Sequence, residues 1–340
     1  MTKVASTLLP ADIGPVSAIA PGFTSRELRI DADTLSRPAN PSIACIDGTI
    51  WMLVRLLSYV IEREASGRIW YRQLERLPNG RTLLRTRNLL VRLDDHGEAT
   101  MPTIVAAPEG WPTPRSRSVL GFEDSRLFAW KEALWALSSI RETHADGRAR
   151  MILTRIDGVG TAEPRHAAPR LIQPGRSPRD EKNWMPLVDQ GALRIVYTID
   201  PMLVLDEDGS TVAEFPLRFA VPDVMRGGPP LVAFDDGWLG LEHEFMRAAG
   251  TPYYFHRFFW LDRSYAPRRF SRRFFFTQAA IEFAAGLCWS PDGNRLIVSF
   301  GVDDQRCRVG TFDPEEIRTA LCETWPVFDG SRSFSTYATR

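Results

Sequence analysis

The sequence has little cysteine, and what it has is not arranged in pairs. Its 340 residues contain four cysteines, Cys45, Cys288, Cys307 and Cys322, with no CxxC spacing among them. Zinc ribbons and disulfide frameworks use closely spaced cysteines, so the pattern argues against both kinds of site. Scattered thiols suit a reducing compartment, and we therefore expect a cytoplasmic protein.

An excess of charge of one sign is also missing. The chain has 42 basic and 42 acidic side chains, so no global field draws it toward nucleic acid or an anionic membrane. No run of 18 apolar residues occurs, and the stretch 1–22 lacks the regions of a signal peptide. We expect no membrane span, no signal peptide, and no nucleic-acid or membrane partner. The basic run 263–276 is interpreted as a solvated rim or loop.

Metal and nucleotide motifs are absent as well. The five histidines show no HExxH spacing, and there is no P-loop, no GxGxxG after a strand and no GxSxG serine elbow. The sequence therefore predicts no metal site and no bound cofactor.

Repeated β-hairpins are what the sequence does contain. Apolar runs rich in β-branched and aromatic residues meet at turn residues such as Asp47-Gly48. Five such hairpins recur along the chain, at 42–57, 126–140, 185–199, 229–244 and 286–301. Their irregular spacing fits four-stranded propeller blades with insertions. The sequence thus predicts an all-β fold, a five-bladed β-propeller with a short N-terminal arm and one C-terminal helix.

The remaining segments complete this prediction. The segment 96–118 is interpreted as a loop, and a helix is predicted at 313–323, with Asp313 as its cap and Glu316 completing a capping box. Further strands are predicted at 67–76, 82–95, 148–157, 202–215 and 253–262. The predicted organisation has three parts: an arm at 1–25 that closes the ring, a single propeller domain at 26–330, and a tail at 331–340.

A polar cluster leads each hairpin. The second, "GFEDSRLF" at 121–128, places Glu123 beside Asp124 and two residues before Arg126. Innermost strands of a propeller converge on its axis, so their leading ends ring one mouth. We therefore expect the five clusters to face one shared pocket.

The clusters resemble, in order, the blade motifs of glycoside hydrolase family 130, which comprises β-mannoside phosphorylases and hydrolases. The matching stretches are "ANPSI" at 39–43, "GFEDSRLF", "EKNWMPLV" at 181–188, "GGPPLVAFDDGWLGLEHE" at 227–244 and "FAAGLCWSPDGNRLIVSFGVDD" at 283–304. The resemblance spans residues 38–312 and extends to the mannosyltransferase-phosphorylases of glycosyltransferase family 108. Three residues depart from the family pattern: Ser125 replaces a proline, Met185 replaces a common apolar pair, and Arg226 is not expected in the phosphorylases.

The resemblance implies that Asp124 is the proton donor, acting through a sugar hydroxyl. From the residues alone, Asp124 is either that acid or a carboxylate that anchors its blade by pairing with Arg126. A neighbouring carboxyl raises one pKa of a pair, which favours the acid. Glu123 is then a structural or sugar-binding partner.

An anion site is implied for the phosphate co-substrate. Arg55, Lys182 and His243 match the family's phosphate-binding positions, and Arg126 is expected to contribute. Taken singly, each of the first three fits a structural role better; as an ordered set they favour an anion site. Arg226 would widen the site toward a larger anion, such as a nucleotide or sugar phosphate.

Other polar residues are expected to bind the sugar. They are Asn40, Glu123, Asn183, Tyr197, Arg226 and Asp304, with Trp184 and His256 bordering it. Four tryptophans are assigned to the blade cores instead: Trp51, Trp130, Trp135 and Trp260.

The resemblance thus implies an inverting glycoside phosphorylase that cleaves β-mannosides or similar small β-glycosides, with inorganic phosphate as co-substrate. A glycosyltransferase on the same scaffold stays open, with Arg226 as its best support. A hydrolase would need a second carboxylate, and the candidates are Glu242, Glu282, Asp303 and Asp304. A binding propeller would need no cationic set, and a homo-oligomer stays an open expectation.

Overall fold

Antiparallel hairpins that turn on left-handed residues build most of the molecule. In the computed structural model, Asp47 and Gly48 turn the first hairpin with φ of 48° and 69°, and Gln190 and Gly191 turn a later one with φ of 49° and 83°. Two positive φ angles match the right-handed twist of the flanking strands. The structure describes residues 13–30, 33, 36–63, 69–74, 84–94, 96–111, 120–143, 146–175, 179–216, 225–248 and 251–324.

The first blade carries an inserted ribbon. A 3-10 turn at Val16–Ala18 separates the two N-terminal strands. The strands are β1 (Ile13–Pro15), β2 (Thr24–Leu28), β3 (Arg37–Ile46), β4 (Thr49–Leu57), β5 (Tyr59–Arg63), β6 (Ile69–Gln73), β7 (Thr86–Leu93) and β8 (Ala99–Val105). The blade order is β3-β4-β7-β8, and β5 pairs with β6 as a separate two-stranded ribbon.

The second and third blades are regular meanders. Their strands are β9 (Glu123–Trp130), β10 (Ala133–Ile140), β11 (Arg150–Asp157), β12 (Arg165–Leu171), β13 (Met185–Asp189), β14 (Ala192–Thr198), β15 (Met202–Asp206) and β16 (Thr211–Phe215). Their orders are β12-β11-β10-β9 and β13-β14-β15-β16, so hydrogen-bonded neighbours follow one another along the chain.

The last part of the chain forms a larger sheet and a fourth regular blade. Its elements are β17 (Met225–Gly227), β18 (Val232–Phe234), β19 (Gly237–Ala248), β20 (Thr251–Leu261), β21 (Pro267–Phe270), β22 (Arg273–Phe275), β23 (Glu282–Trp289), β24 (Leu296–Val302), β25 (Arg306–Phe312), α1 (Pro314–Ala320) and β26 (Glu323–Thr324). The larger sheet follows β1-β22-β20-β19-β17, with β18, β21 and β26 added at its sides. The blade has the order β2-β25-β24-β23.

The blade count corrects the sequence prediction. Among the described residues, four sheets are four-stranded blades, and the segment predicted to form another blade lies in an eight-stranded sheet. The extra strands come from distant chain segments, since β1 pairs with β22 and β26 pairs with β21. The recurrence of hairpins along the sequence does not indicate which distant segments pair with them. The all-β, propeller-like class is confirmed.

The innermost strands surround an apolar axial cavity. It has a volume of about 260 Å³ and is lined by Ile43, Leu127, Leu187, Val232 and Leu287, which come from β3, β9, β13, β18 and β23. Neighbouring sheets pack through apolar cores, and burial of each large side chain there contributes about 1.5–3 kcal/mol. The leading ends of these strands therefore come together around one axis.

The tryptophans assigned to the cores lie where apolar side chains pack between the sheets. Trp51 and Trp130 are buried, and Trp135 and Trp260 are partly buried against the same kind of core.

The N-terminal residues close the last blade. Strand β2 pairs antiparallel with β25 from Thr24–Thr311 to Leu28–Cys307. Because β25 arises near the other end of the chain, the pairing joins the two ends of the fold. Residues 1–12 of the predicted arm and the predicted tail 331–340 lie outside the described residues, as do the ends of the predicted strands 67–76 and 82–95.

Two local predictions are wrong. Residues 99–105 of the predicted loop form the outer strand β8, because β7 offers a free edge that their sequence alone does not reveal; residues 112–118 lie outside the described residues. Helix α1 ends at Ala320, and Asp313 caps it through the amide of Glu315. Glu316 does not complete a capping box, because its carboxylate accepts from the amide of Gly22 at 2.7 Å.

Candidate active site

Three candidate polar residues take left-handed backbone conformations at the heads of the innermost strands. The φ angles are 44° for Asn40, 45° for Asp124 and 62° for Asn183. Asn and Asp enter this region more easily than other residues with a Cβ. The strand registers shift beside Asn40 and Asp124, as in β-bulges, which re-aim side chains. The bulges bring side chains of different blades together.

Asp124 lies at the centre of this group. Its carboxylate accepts from Arg55 Nη1 at 2.8 Å and from Asn40 Nδ2 at 3.0 Å. Its side chain is 23% exposed, so a ligand can reach it. The contact with Asn40 agrees with the expectation that the leading clusters of different hairpins face one pocket.

The charge of Asp124 corrects one expectation. Burial pushes the pKa of this carboxyl up, but the positive charges of Arg55, Arg126 and Lys182 outweigh burial and hold its pKa well below the ordinary value. The neighbouring carboxyl was expected to raise the pKa of Asp124, and that direction is wrong for the unliganded protein. Asp124 is therefore an anion in the free site.

Arg55 links the two adjacent carboxylates. Its Nη2 donates to Glu123 Oε2 at 3.1 Å and its Nε donates to Thr86 Oγ1 at 3.0 Å. Burial opposes the charge of Arg55, but Asp124 and Glu123 outweigh it and raise the pKa of the guanidinium. Arg55 is thus a fixed, permanently charged clamp.

Glu123 forms the buried side of the ion cluster. Beyond Arg55, its carboxylate lies 3.7 Å from Lys182 Nζ and 3.7 Å from Arg141 Nε. Glu123 is 3% exposed, so it holds cations in place and does not face a ligand. Lys182 differs, since its side chain is 35% exposed.

Arg126 is buried and fully engaged inside the protein. It donates to the carbonyl of Gly228 at 2.7 Å, to the carbonyl of Asp124, and to Asn183 Oδ1 at 3.3 Å. Its guanidinium also lies 4.9 Å from the ring of Phe283. Arg126 donates to the backbone carbonyl of Asp124 and does not form the blade-anchoring ion pair that the sequence left open as the alternative. With 1% exposure it does not face an open anion site.

His243 is neutral and does not supply a cation. Burial is the main cause that keeps its pKa well below the ordinary value, and His256, Arg126 and Arg226 add to it. His256 is also buried, with a pKa lowered to about 3 by burial, and its Nε2 accepts from the amide of Ala284 at 3.4 Å. His256 therefore belongs to the core and does not border a sugar.

Asp304 is a second carboxyl beside Asp124. Burial raises its pKa to about 6, the charges of Asp124 and Asp303 add to that effect, and Arg55 and a hydrogen bond from Asn40 oppose it. The two carboxyls thus differ in pKa although both lie near Arg55. Pairs of carboxyls whose pKa values differ because of their surroundings are typical of acid/base sites.

The other carboxylates proposed for hydrolysis are engaged elsewhere. Glu282 accepts from the amides of residues 276–278 and from the hydroxyl of Thr277, which fixes that loop. Glu242 is fully buried, and its carboxylate lies 3.6 Å from Arg257 Nε. Asp303 lies 3.7 Å from Arg306 Nη2.

Two aromatic residues expected at the sugar are turned into the protein. The hydroxyl of Tyr197 donates to Glu181 at 3.1 Å, and the indole of Trp184 donates to the same carboxylate at 3.2 Å. Tyr197 is 6% exposed and Trp184 is fully buried. They hold Glu181, the residue directly before Lys182.

Tyr59 and Arg141 also belong to the site, although the sequence analysis gave neither of them a role. Tyr59 opens β5, two residues after the end of β4, and its hydroxyl interacts electrostatically with Arg55, Asp304 and Asp124. Arg141 follows β10 and reaches Glu123. Both lie just beyond the end of a second strand, a position that places their side chains near the heads of neighbouring strands.

Other site types lack support among the described residues. No group of three His, Cys, Asp or Glu side chains in that part of the chain could hold a metal ion. No helix there is both long enough and apolar enough to cross a bilayer.

Comparison with solved structures gives the same fold. The β-1,2-mannobiose phosphorylase from Listeria innocua superposes with a TM-score of 0.56 at 13% identity, over 88% of this chain and 99% of that chain. The mannose phosphorylase MPT-4 from Leishmania mexicana, in complex with phosphate ion, gives 0.54 at 14% identity, over 89% and 92%.

A third solved structure comes from work on hydrolases within the family 130 mannoside phosphorylases that target β-1,2-mannosidic linkages in Candida mannan. It gives a TM-score of 0.53 at 14% identity, over 82% of this chain and 85% of that chain. No protein-family model and no curated protein matches the sequence. The resemblance of the blade motifs to glycoside hydrolase family 130 thus has its counterpart in the fold.

Proposed function

We propose that the protein is an inverting glycoside phosphorylase, which cleaves β-mannosides with inorganic phosphate and releases a sugar 1-phosphate. The observation that carries this proposal is the setting of Asp124, a part-exposed carboxylate among the charges of Arg55, Arg126 and Lys182. Phosphorolysis needs a proton for the leaving oxygen and cations for the phosphate. Phosphate is itself the nucleophile, so no carboxylate base and no bound cofactor are required.

The reaction is a displacement at the anomeric carbon. A phosphate oxygen bonds to that carbon while the glycosidic C–O bond breaks, and the leaving oxygen takes a proton that Asp124 supplies through a sugar hydroxyl. Asp124 must first gain this proton, because it is an anion in the free site. A phosphate dianion offsets the charge of the same cations, so its binding raises the pKa of Asp124.

The cations have different parts in this scheme. Lys182 is the part-exposed one and contacts phosphate, whereas Arg55 is held by two carboxylates and fixes the geometry. Arg126 positions the backbone of Asp124 from inside the protein. His243 acts as a neutral hydrogen-bonding group, since its pKa is lowered mainly by burial. Asn40, Asn183 and Asp304 bind sugar hydroxyls.

Two of the similar structures guide the choice of substrate. The Listeria innocua protein is a β-1,2-mannobiose phosphorylase, and the Leishmania mexicana protein is a mannose phosphorylase with bound phosphate. We therefore take β-1,2-mannobiose as the first substrate to test. A cytoplasmic location and a small carbohydrate as the partner stay predictions.

Hydrolysis is the second candidate, and Asp304 favours it. This carboxyl has a pKa near 6 and lies by Asp124, so the pair offers both a proton donor and an anion. A glycosyltransferase is the third candidate. Its support is Arg226, an exposed cation on β17 opposite His243, which would suit a nucleotide or sugar phosphate.

The test is to incubate the protein with β-mannobioses and gluco-configured analogues, with and without phosphate. Phosphate-dependent formation of mannose 1-phosphate supports the proposal. Release of free mannose without phosphate supports hydrolysis and contradicts the phosphorylase proposal. Transfer of a sugar from a nucleotide sugar, with no cleavage of the mannosides, supports the transferase.

The matched variants are Asp124→Asn and Asp208→Asn. Loss of the acid should lower kcat by about a hundredfold or more, while circular dichroism and Tm show an intact fold. Asp208, whose side chain is 74% exposed and pairs with Arg170, is the control and should keep full activity. If Asp124→Asn unfolds the protein instead, Asp124 has a structural role.

A further inference from the structure

The backbone that leads to Asp124 is held by strand β7 of the first blade. The amide of Thr86 on β7 donates to the carbonyl of Leu120 at 2.6 Å. Two residues further along β7, Nδ2 of Asn88 donates to the carbonyl of Phe122 at 3.2 Å. Strand β7 therefore fixes the chain of the second blade immediately before its candidate proton donor.

The hydrogen-bond ladder within the second blade does not place Asp124. Arg126 pairs with Leu137 but Glu123 pairs with Ser139, so the register of β9 on β10 shifts across Asp124. A bulged residue has no partner of its own in the ladder, and its position depends on contacts from outside the ladder. On one side of the bulge, Arg126 donates to the carbonyl of Asp124. The contact from β7 is its counterpart on the other side.

Asn88 also lies directly beside the cation that binds Asp124. It is the cross-strand partner of Arg55 on β4, so the two side chains lie on the same face of the blade. Arg55 donates to the carboxylate of Asp124 at 2.8 Å. One pair of strands thus carries both the cation for the carboxylate and the amide for the backbone before it. A shift of Asn88 would therefore change the distance between Arg55 and Asp124.

A buried histidine of the second blade fixes the side chain of Asn88. His166 lies on the outer strand β12, and its backbone amide donates to the carbonyl of Ala106 in the first blade at 2.9 Å. Its ring stacks on Phe122, with centroids 4.0 Å apart and an interplanar angle of 10°. Its Nε2 lies 3.4 Å from Asn88 Oδ1, and its Nδ1 lies 2.9 Å from Thr154 Oγ1. The imidazole therefore contacts both the ring of Phe122 and the amide that holds the Phe122 carbonyl.

The partners in this chain of hydrogen bonds define where the protons lie. Nδ2 of Asn88 donates to Phe122, so its Oδ1 faces the imidazole, and an amide oxygen only accepts. His166 then carries its proton on Nε2, and its Nδ1 accepts from Thr154, whose contact with the carbonyl of Ala136 is longer at 3.5 Å. Burial lowers the pKa of His166 to about 3, so the imidazole is neutral at neutral pH. Each donor in the chain thus points toward the Phe122 carbonyl.

We propose that Asn88 and His166 are positioning residues for Asp124. His166 holds the amide of Asn88 in the orientation that donates, because a turned amide would present its oxygen to the Phe122 carbonyl and two acceptors repel. Asn88 in turn holds the bulge so that the carboxylate of Asp124 meets Arg55. Both side chains are buried, so they act on the substrate only through Asp124. The inference rests on the proposed function in that it takes Asp124 as the group that supplies the proton.

The crystal structure of Asn88→Leu tests the position of Asp124 without turnover. Leucine keeps the branched shape of asparagine but neither donates nor accepts, so the carbonyl of Phe122 and the Nε2 proton of His166 lose their partner. We expect the carboxylate of Asp124 to move by about 0.5–1 Å relative to Arg55. In the unchanged protein the two groups are 2.8 Å apart.

The same variant should lower kcat and leave substrate binding nearly unchanged. Misplacement of the acid should lower kcat about ten- to hundredfold. The KM values for β-1,2-mannobiose and phosphate should stay within about twofold, because Asn88 does not touch either substrate. Leu90→Ala is the matched control, since Leu90 lies two residues further along β7 and is buried in an apolar cluster. It should lower Tm but keep kcat and the contact between Asp124 and Arg55.

Two substitutions of His166 separate the hydrogen bond from packing and do not require that Asn88→Leu folds. His166→Phe keeps a ring against Phe122 but removes the donor, and should lower kcat about ten- to hundredfold. His166→Gln can present an N–H where Nε2 lies, and should keep kcat within about threefold of that of the unchanged protein. Nitrogen-15 NMR of the unchanged protein should show the proton of His166 on Nε2.

Four results would overturn the inference. They are an unmoved Asp124 in Asn88→Leu, a proton on Nδ1 of His166, equal kcat in the two His166 variants, and a loss of kcat in Leu90→Ala as large as that in Asn88→Leu. Failure of the proposed function is distinct from these. If the unchanged protein cleaves no glycoside, the phosphorylase proposal fails, and the crystal structures and the NMR spectra still decide whether Asn88 and His166 position Asp124.

Discussion

Neighbouring charges decide what each carboxyl at the mouth can do. Asp124 and Asp304 are the same chemical group, yet the cations around Asp124 lower its pKa and burial raises that of Asp304. The site then holds one anion and one group that titrates near pH 6, a combination that suits proton transfer.

The raised pKa of Asp304 predicts a pH dependence of stability. Its pKa rises from 3.8 to about 6 in the folded protein, so the folded state binds the proton more tightly than the unfolded state. The stabilisation it provides is complete below about pH 4 and is lost as pH rises to 6. Asp304→Asn should remove this loss of stability between pH 4 and 6. The measurement is the unfolding free energy from urea denaturation across pH 4–7.

The control for that measurement is Asp208→Asn, which changes an exposed carboxylate. Its unfolding free energy should follow the pH profile of the unchanged protein. An Asp304→Asn profile that also matches the unchanged protein would show that the carboxyl is not perturbed by folding.

At the scale of elements, the site depends on the bulged heads of the innermost strands. Asn40 and Asp124 reach each other because both strands leave regular β geometry there. Asn40 also approaches the last blade closely at Gly301, where an added Cβ would lie 2.4 Å from Asn40 Oδ1 and 2.9 Å from Asn40 N.

Gly301→Ala should therefore displace Asn40 and disturb Asp124. We expect a loss of about 1–3 kcal/mol in unfolding free energy, as in other overpacked sites, together with reduced activity. Gly175→Ala is the matched control, because an added Cβ there meets nothing within 4 Å. Chemical denaturation and kcat/KM measure both effects; equal stability of the two variants would contradict the close approach.

At the scale of the whole molecule, the ring is closed by residues from both ends of the chain. Leu28 of β2 packs in a buried cluster with Ile43, Cys288, Cys307 and Val309, which joins the first blade to the last. Closure of the ring fixes the position of Asn40 in the first blade relative to Asp304 in the last. The geometry of the candidate site therefore depends on this closure.

Leu28→Ala should destabilise the whole fold. Leu28 is 5% exposed, and truncation of such a side chain costs about 2–5 kcal/mol. Met101→Ala on the outer strand β8 is the control, since Met101 is 51% exposed. Thermal unfolding should show one lowered transition for Leu28→Ala. A separate early transition with an unchanged main one would mean that β2 is only an appendage.

The sequence by itself determined the hairpins, their turns and the order of the polar clusters. Turn residues such as Asp47-Gly48 and the two-residue periodicity of the strands act over a few residues, so they can be recognised without a structure. The approach of the leading clusters of Asn40 and Asp124 was also expected, because propeller geometry brings strand heads together.

Only the tertiary structure decided the charges and the orientations. The pKa of Asp124, the burial of Arg126 and the neutrality of His243 depend on groups from other blades and on how much water each side chain loses. The eight-stranded sheet depends likewise on pairing between β1 and β22, far apart in sequence. Local sequence patterns do not carry these effects, because Coulomb interactions, desolvation and strand pairing act through space.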